Sequence, residues 1–186
     1  MEENLFFDTS KLKYRGANVI IGKTVRIRYP ELVELHDNVI IDDFTYISCG
    51  LVMQEHTFIE NNCSLMGGKD YKIILGKHSA IGTHSVLFCG NLDLKSSLQL
   101  NYHRHLLKFK NNGDIVLEDH VLIGCHNTIH PGNILGEGAR TSEYTSVRKH
   151  LESWGLYSGM SCRRIGNVNK QQILSTLTDY KNTTSQ

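Results

Sequence analysis

The feature of this sequence that most constrains its fold is an aliphatic residue that recurs every six positions. In the stretch VLIGCHNTIHPGNILGEG, residues 121–138, the recurring residues are Ile123, Ile129 and Leu135, and Gly, Asn, Pro, Cys and His fill the intervals. An amphipathic helix has a period of 3.6 residues and a half-buried strand has a period of two, so neither alone explains this spacing. A fixed repeat of this kind is typical of a solenoid.

The same register runs through most of the 186-residue chain. It slips at Tyr29-Pro30 and at MGGKDY (66–71), and residues 95–114 interrupt it. A short strand followed by a tight corner, repeated three times, would make one triangular coil, and stacked coils would bury the recurring residues as an inner column. The predicted inner column is Ile21, Ile27, Leu35, Ile41, Ile47, Met53, Ile59, Leu65, Leu75, Ile81, Leu87, Leu117, Ile123, Ile129, Leu135, Thr141 and Val147.

The repeat [LIV]-G-x-x-[STAV]-x resembles that of the hexapeptide-repeat acyltransferases, over roughly residues 16 to 166. The resemblance implies an all-β fold, a left-handed parallel β-helix solenoid with an extruded loop and a short C-terminal helix. We predict an N-terminal cap over 1–15 and a β-helix over 16–166, from which the loop 93–114 extrudes. A C-terminal helix and tail, capped by Asn167 or Asn169, would occupy 167–186.

Composition narrows the possible partners and the compartment. The net charge is +1, which predicts no nucleic-acid surface, and no apolar run reaches transmembrane length, so we expect no membrane span. Five cysteines without a CxxC pair argue against a disulfide framework or a zinc site. A reducing cytoplasm is therefore the expected location.

Most of the ten histidines fall in one slot of the repeat, three residues after an inner aliphatic position. Gly and Asn share this slot, which is the composition that a corner with positive φ selects. We therefore predict corner residues rather than catalysts, with His84 stacked on His126 at one corner and a second stack at another. The six histidines in this slot are His56, His78, His84, His120, His126 and His150.

Four histidines lie outside that slot. His36 and His130 directly follow an inner aliphatic residue, so they should point outward from a flat face, where they would be solvated or contact a neighbouring subunit. His103 and His105 lie in the extruded loop, where no backbone requirement explains them. They could supply a general base, or they could be part of an exposed polar loop.

Three further stretches sharpen the resemblance. VLEDHVLIGCHNTIHPGNILGEGA and GARTSEYTSVRKHLESWGLYSGMSCRRIG are similar to the late coils and the closing segment of sugar O- and N-acetyltransferases. IDDFTYIS with LMGGKDYKIILG resembles a subgroup tied to bacterial surface polysaccharides such as lipopolysaccharide. The resemblance implies a homotrimer that transfers an acetyl group from acetyl-CoA to a sugar hydroxyl or amine, with its active site between neighbouring subunits.

The resemblance also assigns cofactor contacts. They fall on Cys125, Glu143, Lys149 and Arg163, and the amides near Gly124 and Cys125 would stabilise the tetrahedral oxyanion. Lys149 and Arg163 carry the positive charge that the phosphates of coenzyme A require.

The chain departs from the family pattern at two places. Ser142-Glu143 replaces a usual Gly-Ala pair, and Leu92 occupies the position of a catalytic histidine in some relatives. Asp93 matches an acidic residue of the polysaccharide subgroup. We therefore expect Asp93, His103 or His105 to supply the base, with His103 accepting the proton and Asp93 orienting it or the sugar.

Other interpretations of the function remain open. The acceptor could be an amino acid or a xenobiotic. The two departures would also suit a catalytically degenerate scaffold or partner subunit. A metal-dependent protein of the carbonic anhydrase type would use stacked histidines such as His84 and His126, but no third ligand can be placed, so no metal site is predicted.

Overall fold

In the computed structural model, which describes residues 3–93, 95 and 109–184, the chain winds into a left-handed parallel β-helix. Six triangular coils each contain three short strands. The strands of coils 1 to 3 are β1 (Tyr14–Arg15), β2 (Ile20–Ile21), β3 (Arg26–Ile27), β4 (Val33–Leu35), β5 (Ile40–Ile41), β6 (Tyr46–Ser48), β7 (Gly50–Met53), β8 (Phe58–Ile59) and β9 (Ser64–Met66). After β10 (Lys72–Leu75), β11 (Ala80–Ile81) and β12 (Val86–Phe88) of coil 4 comes a hairpin of β13 (Asn91–Leu92) and β14 (Phe109–Lys110). Coils 5 and 6 are β15 (Ile115–Leu117), β16 (Leu122–Ile123), β17 (Thr128–Ile129), β18 (Ile134–Leu135), β19 (Arg140–Thr141) and β20 (Ser146–Val147).

The first, second and third strands of successive coils pair in parallel and form three flat faces. Face 1 has the order β1-β4-β7-β10-β15-β18, face 2 begins β2-β5-β8-β11-β16-β19, and face 3 is β3-β6-β9-β12-β17-β20. The corners between them are named corner 1–2, corner 2–3 and corner 3–1. Because the pairing is in register, each side chain lies above its counterpart in the preceding coil.

The core is the predicted inner column. All of its members are buried except Ile21, which is half-buried in the first coil. Thr141 is 5% exposed and therefore lies inside with the aliphatic residues. Small polar residues of a second buried column bond to the backbone of the neighbouring coil, as the Ser79 hydroxyl does to the Glu118 carbonyl at 2.8 Å. The prediction of an inner column is confirmed.

Both ends of the solenoid depart from the repeat. Short 3-10 turns at Thr9–Lys11 and Pro30–Leu32 pack together beside the first coil. After coil 6, β21 (Gly155–Ser158) extends face 2 and β22 (Arg163–Asn167) pairs with it antiparallel. The predicted boundaries of the N-terminal cap at residue 15 and of the β-helix at residue 166 stay predictions.

The chain closes with α1 (Lys170–Thr184). The Asn169 carboxamide oxygen accepts from the Gln172 backbone N–H at 3.1 Å, which confirms the predicted cap. Among the described residues, no helix is long and apolar enough to cross a membrane.

Candidate active site

The corners hold the histidines as predicted, with one exception. His56, His78, His84, His120 and His126 have φ between 56° and 63°. His150 is absent from the positive-φ residues, and its Nδ1 instead accepts from the Ile134 backbone N–H at 2.9 Å. The corner prediction was therefore wrong for His150, because the chain leaves the regular repeat after β20.

The corner side chains stack in columns. At corner 1–2, His78 lies between His56 and His120, with ring centroids 4.9 and 5.3 Å away. At corner 2–3, His126 lies between His84 and Tyr144, each 4.8 Å away. The predicted stacks are confirmed. Among residues 3–93, 95 and 109–184, no group of three or more His, Cys, Asp or Glu side chains is arranged to hold a metal ion.

Several residues assigned to the cofactor meet at corner 2–3. Because Ile123 pairs with Thr141, Gly124 and Cys125 lie directly below Ser142 and Glu143 of the next coil. The Gly124 N–H donates to the Thr141 carbonyl at 3.0 Å, so it is engaged within the sheet. The amide of Cys125 is therefore the better candidate for an oxyanion. Cys125 is half-buried and Glu143 is exposed.

The Ser142 side chain shapes the same corner. Its hydroxyl donates to the Ser158 hydroxyl at 2.7 Å, and its carbonyl accepts from the Asn127 amide at 3.0 Å. The serine is therefore part of a hydrogen-bonded network between coils. Where the family pattern has glycine, Ser142 therefore adds a hydroxyl that is already hydrogen-bonded. Glu143, in place of the usual alanine, adds a negative charge to the exposed surface of the corner.

Two cations flank the C-terminal end of the solenoid. Lys149 and Arg163 are exposed. Burial raises the pKa of the Cys162 thiol, and the positive charge of Lys149 partly opposes this rise, so Lys149 lies near Cys162 and the start of β22. Arg163 pairs with Ser158, which is bonded to Ser142. The four polar cofactor residues and Gly124 are therefore distributed along one end of the molecule, over coils 5 and 6 and the segment that follows them.

A cleft of about 690 Å³ lies on face 3 beside corner 3–1. It extends over coils 1 to 4. One row of outward side chains at the ends of the face 3 strands forms its floor, and the corner segments form its wall. The lining residues are Arg28, Tyr29, Tyr46, Ser48, Met66, Gly67, Gly68, Asp70, Tyr71, Phe88, Gly90 and Asn112.

Aromatic rings and cations share the first-coil end of this cleft. The Arg28 guanidinium lies 5.6 Å from the centre of the Tyr29 ring, and the Lys69 ammonium lies 5.1 Å from the same centre. A hydrogen bond with Tyr46 raises the pKa of Arg28, so this guanidinium stays charged. Flat rings beside fixed positive charge favour a ligand that carries both an aromatic base and phosphates.

The cleft was not predicted from the sequence, although a signal for it was present. The two register slips fall at corner 3–1, and the residues they add, including Tyr29, Gly67 and Tyr71, line the cleft. The long loop leaves from the same corner after Gly90. Insertions that stack at a single corner build a wall there, and this alignment could have been read from the repeat.

The proposed catalytic residues are only partly described. Asp93 directly follows β13, three residues after Gly90 of the cleft, and its carboxylate accepts from the Lys95 backbone N–H at 3.2 Å. Chain connectivity thus places Asp93 near the coil 4 end of the cleft. His103 and His105 lie outside the described residues. Leu92 is half-buried and pairs with Phe109 in the hairpin.

His130 differs from its prediction. It is 9% exposed, so the expectation of a solvated histidine is wrong for it. Its ring packs against Phe88 with centroids 4.9 Å apart, and its Nε2 lies 3.1 Å from the Ser146 hydroxyl. Burial, and secondly the charge of Arg148, lower the pKa of His130, which favours the neutral imidazole. His36 is half-buried, with its ring 5.0 Å from that of Tyr14.

Known proteins share this architecture. No family model matches the chain. It is 25% identical over 169 residues to a dTDP-4-amino-4,6-dideoxy-D-glucose acyltransferase of Escherichia coli, covering 85% of this chain and 83% of the relative. AntD, an N-acyltransferase from Bacillus cereus solved with dTDP and 3-hydroxybutyryl-CoA, superposes with a TM-score of 0.88 at 24% identity, covering 98% of this chain and 100% of AntD.

A hexapeptide-repeat protein is a more distant structural relative. A hexapeptide-repeat acetyltransferase from Vibrio cholerae superposes with a TM-score of 0.53 at 14% identity, covering 90% of this chain and 85% of the other. These similarities confirm the predicted hexapeptide-repeat fold, and the relatives that share it are described as acyltransferases.

Proposed function

We propose that this chain transfers an acyl group from a coenzyme A thioester to an amine of a nucleotide-linked sugar. The observation that carries the proposal is the face 3 cleft, whose aromatic and cationic end leads toward Asp93. A nucleoside diphosphate sugar has a flat base, two phosphates and an uncharged ring, in the order that such a cleft could accommodate. The E. coli relative is named for a dTDP-linked amino sugar, and AntD was also solved with that amino sugar and coenzyme A.

The two substrates would approach from opposite halves of the solenoid. The acceptor would lie over coils 1 to 4, with its diphosphate at Arg28 and its reactive end near Asp93. The donor would lie along coils 5 and 6 and the segment that follows them, with its phosphates at Lys149 and Arg163 and its thioester near Cys125. The reacting groups would then meet near Asp93, at the coil 4 end of the cleft.

The chemistry requires one proton acceptor and one oxyanion donor. The amine nitrogen attacks the thioester carbonyl carbon, the carbon–sulfur bond breaks, and coenzyme A leaves as a thiolate that takes up a proton. Asp93, or His103 or His105 of the loop, would accept the amine proton, and the Cys125 N–H would stabilise the oxyanion. Positioning supplies much of the remaining acceleration, because a thioester is already activated.

The same proposal includes the assembly and setting of the protein. We infer a homotrimer whose donor site lies between subunits, acting in the cytoplasm on a precursor of a surface polysaccharide such as lipopolysaccharide. Acetyl-CoA is the first donor to test. Supporting this assembly, Tyr144, next to Glu143, and Phe44, at the same corner in coil 2, are each 64% exposed and could be covered by a neighbouring subunit.

The test combines binding with turnover. Calorimetry should show binding of acetyl-CoA and of dTDP, and a dTDP-linked amino sugar should be acylated faster than its hydroxyl counterpart. Asp93→Asn should lower kcat by about 100-fold or more, since a positioned base contributes this much. Asp42→Asn, an exposed aspartate on face 2, is the matched control and should keep the wild-type rate.

Other outcomes separate the alternatives. If coenzyme A does not bind at millimolar concentration, the proposal fails. Binding of both ligands without turnover would favour a degenerate scaffold. Stoichiometric zinc in the purified protein would favour a metal-dependent protein of the carbonic anhydrase type. If Asp93→Asn keeps full activity, His103→Ala and His105→Ala, made singly, show which loop histidine is the base.

A further inference from the structure

The floor of the acceptor cleft stops at coil 4, although the row of side chains that forms it continues. Arg28, Ser48, Met66 and Phe88 occupy the same outward position in coils 1 to 4, and all four line the cleft. His130 holds this position in coil 5, one residue beyond the pairing of Leu87 with Ile129. His130 does not line the cleft. A feature at the boundary between coils 4 and 5 therefore closes the cleft.

The contacts of His130 explain how the closure is built. Its ring meets the Phe88 ring at an interplanar angle of 67°, an edge-to-face arrangement with centroids 4.9 Å apart. Its Nε2 is 3.1 Å from the hydroxyl of Ser146, which is itself 2% exposed. A phenylalanine ring held on one side by a buried, hydrogen-bonded imidazole has few other positions available to it.

Bonds to coil 6 and to the corner that follows His130 fix its backbone. Its backbone N–H donates to the Val147 carbonyl at 2.9 Å, and its carbonyl accepts from the Asn133 side-chain amide at 2.9 Å. Burial, and secondly the charge of Arg148, lower the pKa of His130 and favour its neutral ring. The neutral imidazole can hydrogen-bond to the Ser146 hydroxyl without placing a charge beside Phe88. These bonds connect the position of Phe88 to coil 6.

We propose that His130 is a positioning residue that braces Phe88 as the end wall of the acceptor cleft, and so determines how far the acceptor enters toward Asp93. The inference rests on the proposed function. Removing the imidazole would let Phe88 swing and would extend the cleft by one coil, about 4.8 Å. The acceptor would then bind in several positions, of which only one presents its amine to the thioester.

The test is steady-state kinetics with an acyl-CoA and a dTDP-linked amino sugar. His130→Ala should raise the KM for the acceptor about tenfold and leave the KM for the acyl-CoA within about twofold. His130→Phe keeps a ring against Phe88 and should restore most of the acceptor KM. His36→Ala is the matched control, since His36 also directly follows an inner aliphatic residue but lies on face 1, away from the cleft.

The outcomes distinguish this inference from the proposed function. An active wild type with an unchanged acceptor KM in His130→Ala overturns the bracing role alone. Equal rises in both KM values, or no rescue by His130→Phe, show general damage and also overturn it. A wild type that binds neither ligand overturns the proposed function, and the inference with it. The melting temperature of each variant, measured on the same samples, identifies a variant that fails to fold, and His130→Phe then decides the question.

Discussion

At the scale of single residues, the left-handed corner conformation decides which side chains the solenoid accepts. Asn38, His78 and Gly138 occupy equivalent positions of corner 1–2, with φ between 58° and 67°. Asn and His tolerate this region, while glycine adopts it without a steric cost. Gly138 has a second constraint, because the Trp154 ring of the next coil covers it. The histidine-rich corners are thus explained by backbone geometry.

We predict that Gly138→Ala is much more destabilising than Gly132→Ala. Both glycines have φ near +70°, so each substitution should cost about 1 to 2 kcal/mol through the backbone alone. A Cβ at Gly138 would also lie 2.5 Å from Cδ2 and Cζ3 of Trp154, whereas a Cβ at Gly132 would meet nothing within 4 Å. Urea unfolding should show a total loss of about 2 to 4 kcal/mol for Gly138→Ala. Equal losses in the two variants would contradict the clash.

At the scale of elements, the strands of the coils are only two to four residues long, and side-chain hydrogen bonds between coils supplement their pairing. Asn127 is the clearest example, because it is 1% exposed and bonds in two coils. Its amide donates to the carbonyls of Gly124 and Ser142, and its carbonyl accepts from the Thr145 N–H at 2.8 Å. This side chain therefore connects coil 5 to coil 6 at the corner assigned to the donor.

Replacing this connection should lower stability more than removing a hydroxyl from the same column. Asn127→Ala removes three hydrogen bonds and leaves the Thr145 N–H without its partner. The carbonyls of Gly124 and Ser142 keep their bonds from the hydroxyls of Ser85 and Thr145. The loss should be about 2 to 4 kcal/mol. Ser85→Ala, one coil earlier, removes a hydroxyl that donates to the Gly124 carbonyl at 3.1 Å and accepts from the Asn127 backbone N–H at 3.2 Å, and it should cost about 1 to 2 kcal/mol. Chemical denaturation measures both. A loss for Asn127→Ala no greater than that for Ser85→Ala would show that strand pairing alone holds the two coils together.

At the scale of the whole molecule, a solenoid exposes the outer sides of its faces, and face 2 is notably apolar. Ile20 of β2, Ile40 of β5 and Leu122 of β16 point outward from this face and are 59%, 37% and 41% exposed. Exposed apolar side chains on one face are the kind of surface that another subunit buries. It agrees with the proposed homotrimer, in which the donor groove is completed by a neighbour.

We predict a solution mass three times that of the 21.1 kDa chain, measured by light scattering or sedimentation. Ile40→Glu combined with Leu122→Glu should shift the protein toward monomers, since two charges would be buried in each apolar contact. Ile134→Glu, an equally exposed aliphatic position on face 1, is the control and should leave the mass unchanged. A wild-type monomer would remove the basis for a shared donor groove.

The solenoid, its inner column, five of the six corner histidines and a helix cap at Asn167 or Asn169 were predictable from the sequence. These follow from contacts between neighbouring coils, which a repeat of fixed period encodes directly, as the stack of His84 on His126 shows. The cleft on face 3 and the burial of His130 became visible only in three dimensions. Phe88 and His130 are distant along the chain, and they touch because coil 5 pairs in register with coil 4 after the interruption at corner 3–1. Burial of an outward-facing histidine depends on what covers the face, and periodicity carries no information about that.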